Sequence, residues 1–347
     1  MLDEIVKYRE PLVAYLENTL LKNADEYNSI NFWARDSFIK LRDSAIKGKL
    51  IRGSLLLYAT EIAGGTIDNA AYAAAAALEI MHTGLLVHDD IMDEDRLRRG
   101  LPTVFAQYES YGEQNRLRKP QLFGISQGIS VGDIAFFSAF KLLSSANISS
   151  AVIEKFSHEM ILVGLAQMDD VFAGHADEQL LLDRVMQTYR YKTARYTFSL
   201  PFLIGCELAN NSALGLRLSE LGEVLGLIFQ IKDDELGLYG NEQVIGKPHG
   251  SDIREGKQTP YAITLFQRAS EQEREKLRIV FGNYEIGDTE ILYVMELLEK
   301  YEVKKAVDAL VEEYTIRAEK LIEGFSEISF AQETLSKLLA FNLGRKI

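Results

Sequence analysis

Apolar residues recur at three- and four-residue spacing over most of this 347-residue chain, as in Leu12, Tyr15, Leu16 and Leu20, and again in Ile291, Val294, Met295, Leu298 and Tyr301. Alternation of period two is scarce. There are only six prolines, of which Pro102, Pro248 and Pro260 lie beside charged or glycine-containing stretches that read as loops or helix ends. The pattern predicts an all-α chain, with loops near Gly64-Gly65, Gly100 to Pro120, Asn147 to Ser150, Asn210-Asn211, Gly237 to Gly256 and Gly282 to Gly287. Within the second of these, Glu109 to Pro120 reads as a polar insertion or a short surface helix, too short to separate domains. No fixed-period repeat stands out, so residues 1–347 are expected to form a single large helical bundle around a central apolar cavity.

Hydrophobic residues make up 47% of the chain, enough for a sizeable core. With 51 acidic against 38 basic residues the formal charge is −13, which argues against nucleic acid and anionic lipid surfaces as partners. The lone cysteine, Cys206, allows no intrachain disulfide, and the opening MLDEIVKYRE lacks the basic flank and apolar core of a secretion signal. Both features fit the cytoplasm. The nearest candidate for a membrane span, Asn69 to Asp90, contains Glu79 and His82 and is expected to be a buried core helix, with no stable membrane insertion.

That helix runs into HDDIMDEDRLRRGLPT, His88 to Thr103. Four residues apart, Asp89 and Asp93 project from one helix face, while Asp90 is turned by about 100°. Like charges on neighbouring turns repel, so the pair suggests an offsetting cation; hard oxygen ligands suit Mg²⁺ completed by substrate phosphates. Arg98 and Arg99 follow, and guanidinium groups suit diphosphate oxygens. One such cluster could equally be a solvated helix end. A second apolar helix, LGEVLGLIFQIKDD, also ends in paired aspartates, Asp233 and Asp234, and is followed by GKPHGSDIREGK with Lys247 and Lys257. Together they look like two walls of one cavity whose apolar lining would hold a greasy tail attached to a diphosphate.

The combined motifs resemble those of the trans-polyprenyl diphosphate synthases, a family that includes farnesyl and geranylgeranyl diphosphate synthases; the match runs from Gly48 to Lys257. The resemblance implies the isoprenoid synthase fold, a homodimer, Mg²⁺ at three ions per site, and two substrates, isopentenyl diphosphate and an allylic prenyl diphosphate. Asp89, Asp93 and Asp233 correspond to metal ligands, and with Asp90, Asp234 and Lys192 to the catalytic set. GKLIRG points to Lys49 and Arg52 as ligands of isopentenyl diphosphate, with His82 and Arg99; without the resemblance, His82 would pass for a core histidine. YKTARY supplies Lys192 and Thr193, and FQIKDD supplies Gln230; with Arg98, Lys247 and Lys257 these are expected on the allylic diphosphate. Gln167 and Asp170 of AQMDD look like a supporting motif. Two positions depart from the family: Gly53 often is proline, which would alter a backbone turn, and Gly237 stands where the second motif commonly ends in Asp. Asp233 is then left as the main second-site ligand, with Glu235 two positions off its face.

By the same resemblance, the allylic diphosphate ionises with charge neutralised by metal and cationic side chains, the isopentenyl double bond attacks, and the departing diphosphate takes the proton. The loops after Asp93 and Asp234 are candidates for closing the site against water. Met81, Gly84 and Leu85 lie below Asp89 where chain length would be set. Gly84 stands where early-terminating synthases often carry an aromatic ring, which favours a product of geranylgeranyl length or longer over farnesyl, unless Gly84 serves helix packing. A class I terpene cyclase would not need Lys49, Arg52 and His82, and a non-catalytic subunit would not need both aspartate pairs.

Overall fold

The computed structural model describes residues 3–176, 180–240 and 250–344. It is almost entirely helical, as expected; among the described residues the only strands are β1, Leu97–Arg98, and β2, Leu101–Pro102. The chain divides into two compact units, one of Asp3–Phe156 with Pro201–Leu216, the other of Ser157–Leu200 with the chain from Arg217 on.

In the first unit α1 (Asp3–Val6), α2 (Arg9–Tyr27), α3 (Phe32–Ile46) and α4 (Ile51–Ile62) precede α5 (Asn69–Met92). Next come the β1–β2 hairpin, α6 (Val104–Gln114), α7 (Pro120–Ser145) and the start of α8 (Ser150–His175). α5 is the centre and packs on α2, α3, α4, α6 and α7. Asp68 starts it by accepting the Ala71 amide at 3.0 Å, the usual service of an N-cap carboxylate. Ala71 and Ala73 to Ala77 of this helix are all buried, and side chains that small let neighbouring helices come close. Gly84 belongs to the same design: a Cβ there would lie 2.7 Å from the Phe136 ring and 2.9 Å from Ala135 of α7. The packing reading of Gly84 is thus the one seen.

The second unit continues α8 and adds α9 (Leu182–Tyr189) and a π-helical segment Arg190–Ser199; the chain then returns to the first unit for α10 (Leu200–Leu208) and the first turn of the long α11 (Ser212–Tyr239), which belongs to the second unit from Arg217 on. It closes with α12 (Ser251–Arg254), α13 (Pro260–Arg268), α14 (Glu271–Val280), α15 (Asp288–Lys300), α16 (Val303–Glu323) and α17 (Ser329–Leu343). Leu221, Val224, Leu225, Ile228 and Ile231 put the apolar face of α11 in the core. Thr259 caps α13 through the Ala262 amide, and a Ser270–Glu273 capping box opens α14.

Three loop expectations need correction. Helix α6 extends to Gln114, because Phe105, Ala106 and Tyr108 supply a buried face that the polar letters after Glu109 conceal. Helix α11 runs through Gly237 to Tyr239, with Leu238 buried, and α12 forms inside the same expected loop. Helix therefore continues for five residues past Asp234, and the rest of the stretch expected to close the site, 241–249, lies outside the described residues. Among the described residues two helices are long and apolar enough to cross a membrane, Asn69–Met92 and Pro120–Ser145. The first is the buried centre of its unit; the second leaves Leu122, Ile129 and Phe137 exposed.

Candidate active site

The first acidic motif sits where α5 stops. Asp93 is the C-cap, its amide still bonded to Asp89 O at 2.9 Å, and Glu94 takes a left-handed φ of 54° that ends the helix. The chain then turns back in the β1–β2 hairpin, whose central residues Arg99 and Gly100 both have positive φ, 53° and 73°. The hairpin returns Arg98 to the acidic end. Its Nε meets Asp90 Oδ1 at 2.5 Å and its Nη2 lies 3.6 Å from Asp89 Oδ2. Asp90 is buried, and burial pushes its carboxyl up to about 6 against the pull of Arg98. Asp89 and Asp93 remain half-buried. Asp90 thus holds Arg98, and the outward pair is Asp89 and Asp93, as the helical period requires.

One turn and more below, α5 meets the start of α4. The Glu79 carboxylate, 3% exposed, accepts the Gly53 amide at 2.7 Å and so caps α4 from another helix. Desolvation raises its pKa, although the Arg52 guanidinium and the Gly53 and Arg52 amides oppose this. The Gly53 departure therefore does more than alter a turn: proline has no N–H to give Glu79, and a Cβ on Gly53 would already meet Leu12 Cδ2 at 2.5 Å. Burial drives the His82 imidazole well below its ordinary range, and the cations of Arg52, Arg99 and Arg98 add to the effect. Burial, Arg98 and Arg52 also lower the proton affinity of Arg99. Arg52, Arg98 and Arg99 thus lie near enough to His82 for their charges to act on it, an arrangement that suits an anion. Lys49, on the loop before α4, is exposed.

In the second unit Asp233 is exposed, while Asp234 turns inward and accepts Tyr189 OH at 2.6 Å and Gln230 Nε2 at 2.9 Å. Burial, with the charges of Asp252 and Asp233, lifts the Asp234 pKa well above the usual range. Thr193 Oγ1 donates to Gln230 Oε1 at 2.9 Å, which ties the π-helical segment into the same network. Lys192 pairs with Asp170 at 2.5 Å, so the AQMDD aspartate steadies this lysine; Gln167 is half-buried on the same helix. Lys257 meets Glu255 at 2.7 Å and Asp252 at 3.6 Å. Glu235 is buried between Lys232 and Lys304, away from the Asp233 face. Lys247 lies outside the described residues.

Met81 is buried and Leu85 half-buried on α5. Sequence reasoning missed three residues of these networks. Glu79 had a signal, a lone carboxylate inside an alanine-rich helix. Asp252 lay unremarked within GSDIREGK, and Tyr189 carries no local mark.

The donor set fits a hard divalent cation: Asp89 and Asp93 offer carboxylates from one helix face, with Asp90 neutralised behind them by Arg98. Among the described residues no three metal-ligating side chains gather on one point.

Comparison with known proteins agrees with this chemistry. A family model described as polyprenyl synthetase matches residues 40–298. A geranylgeranyl diphosphate synthase of Sulfolobus acidocaldarius is 33% identical over 309 residues, covering 86% of this chain and 87% of that protein. A short chain isoprenyl diphosphate synthase of Methanothermobacter thermautotrophicus is 33% identical over 311 residues, covering 86% and 87%. The crystal structure of a Corynebacterium glutamicum geranylgeranyl pyrophosphate synthase, complexed with isoprenyl diphosphate and magnesium, superposes with a TM-score of 0.90 at 26% identity, covering 99% of this chain and all of that one. The chain belongs to the polyprenyl synthetase family, the trans-polyprenyl diphosphate synthases that its two aspartate motifs resemble.

Proposed function

We propose that this protein is a short-chain prenyltransferase that condenses isopentenyl diphosphate with an allylic diphosphate, as one domain formed by both compact units, to give geranylgeranyl diphosphate or a product close to it. The observation that carries the reading is the cluster of Arg52, His82, Arg98 and Arg99 at the foot of an acidic helix end. A cyclase needs one diphosphate site; a second cationic pocket beside the aspartates fits an enzyme that binds two. The names of the relatives support the product length, and the family match over both units supports the single domain.

Arg52, Arg99 and neutral His82, with Lys49 at the rim, hold the isopentenyl diphosphate and point its double bond. Lys192, Thr193, Gln230, Lys257 and Lys247 take the allylic diphosphate, and Arg98 moves its charge from Asp90 toward the leaving group. Asp89, Asp93 and Asp233 are the residues that would hold magnesium, expected at three ions per site, and the metal would supply Lewis-acid neutralisation of the diphosphate's charge. The released diphosphate accepts the proton that the condensed product loses, so no side-chain nucleophile is required.

The protein acts as a homodimer. Ile161, Leu165, Met168 and Phe172 form an exposed stripe on α8, at 62, 59, 71 and 52% exposure. Their spacing of four, three and four residues is that of a helix packed on a partner. Purified protein incubated with Mg²⁺ and both diphosphates should yield a linear prenyl diphosphate. Cyclic hydrocarbon formed without use of isopentenyl diphosphate would point instead to a cyclase.

A further inference from the structure

The second aspartate motif lacks its last carboxylate, because Gly237 stands where Asp is common. Helix α11 passes through Gly237 without a break, so this position lies on the Asp233 face one turn on, about 6 Å away along the helix. The space a side chain would fill there is occupied. A Cβ built on Gly237 would fall against the Asp252 carboxylate, inside contact distance of Oδ2 and 3.1 Å from Cγ.

That carboxylate is held in place. Helix α12, which carries Asp252, is bracketed by Gly250 and Gly256 with left-handed φ of 75° and 66°. Ile253, 1% exposed, anchors it in the core, and its carbonyl accepts the Gly282 amide at 2.9 Å. The Asp252 carbonyl accepts the Lys257 amide at 2.9 Å while its carboxylate faces the Lys257 ammonium at 3.6 Å. The Asp252 side chain is 14% exposed.

We infer that Asp252 supplies from α12 the carboxylate that position 237 lacks, acting as the positioning residue of the second metal-binding wall and of Lys257. This rests on the prenyltransferase reading above. Gly237 is then required, since any side chain there would displace Asp252. The two positions should be interchangeable as a pair and not singly.

The test uses full-length protein with Mn²⁺ as the metal and inorganic pyrophosphate as the anion, with pyrophosphate-dependent Mn²⁺ binding followed by electron paramagnetic resonance. Asp252→Ala should weaken that binding about 10- to 100-fold, the usual cost of losing a group that orders a metal site. Asp252→Asn keeps the shape, guards against misfolding, and should weaken binding likewise. The double variant Gly237→Asp/Asp252→Ala should recover most of the lost affinity, along with the magnesium dependence of turnover. Unchanged Mn²⁺ affinity in the folded Asp252→Asn protein, or a double variant no tighter than Asp252→Ala, would overturn the inference. Wild-type protein that binds no Mn²⁺ with pyrophosphate would remove the functional reading, and this inference with it.

Discussion

At the scale of single residues, the two diphosphate sites can be told apart by charge. Replacing Arg52 with Ala removes a charge-assisted contact worth about 1.5–3 kcal/mol. The KM for isopentenyl diphosphate should therefore rise about 10- to 100-fold, with little change for the allylic substrate; Lys257→Ala should do the reverse. Initial rates with one substrate varied at a time decide this, and equal effects would mean the pockets are misassigned. Asp89→Ala should remove nearly all turnover yet leave the helix intact, since Ala is the best helix former and Asp89 is not buried. His82 gives a pH signature. Its folded pKa lies below the ordinary value near 6.5, so the unfolded chain binds the proton more readily. The stability linked to His82 is thus complete above about pH 6.5 and declines as pH falls below it. Urea midpoints measured between pH 7.5 and 5.5 should drop on acidification, and drop less steeply in His82→Gln. Parallel declines in the two proteins would show that His82 is not held neutral.

At the scale of elements, what the sequence reveals depends on how far a residue must reach. Asp89, Asp93 and Asp90 could be sorted into outward and inward groups from the helical period alone, because their relation is local. The fold class was equally readable, since periodicity and scarce proline act along each helix. The continuation of α11 through Gly237 was not, because glycine marks loops in sequence and close packing in three dimensions alike. Glu79 illustrates the same limit: its work is on the amides of α4, 26 residues away in sequence. Glu79→Ala should leave a buried amide without an acceptor and destabilise the protein by about 1–3 kcal/mol in denaturant titration. It should also raise the KM for isopentenyl diphosphate, since Arg52 rides on the α4 end that Glu79 holds. The proposed control of chain length can be tested at the α5–α7 seam. The Phe136 ring already occupies the place of a residue-84 side chain, so Gly84→Phe overpacks the seam at about 1–3 kcal/mol before it can act on the product. Phe136→Ala opens that place instead. Chromatography of dephosphorylated products should show geranylgeranyl length for the wild type and longer chains for Phe136→Ala. An unchanged distribution would send the tail along the Leu85 side of α5.

At the scale of the whole molecule, the apolar stripe of α8 needs an owner. Four large side chains, Ile161, Leu165, Met168 and Phe172, stand in solvent along three turns of one helix. The formal charge of −13 sets copies repelling one another at a distance but does nothing to hide such a patch. A second copy, as proposed above, would hide it symmetrically, because the same face can meet itself about a two-fold axis. Burial of two such stripes would make assembly integral to folding, so the thermal midpoint should rise with protein concentration. Light scattering on a sizing column should give twice the chain mass for the wild type at micromolar concentration. Leu165→Glu/Met168→Glu places four carboxylates in a dry interface, two from each copy, where like charges repel without water to screen them. That variant should elute at the mass of one chain, with a thermal midpoint that no longer depends on concentration. A wild type that runs as a single chain, or a double variant that still runs as two, would show that this stripe is not where copies meet.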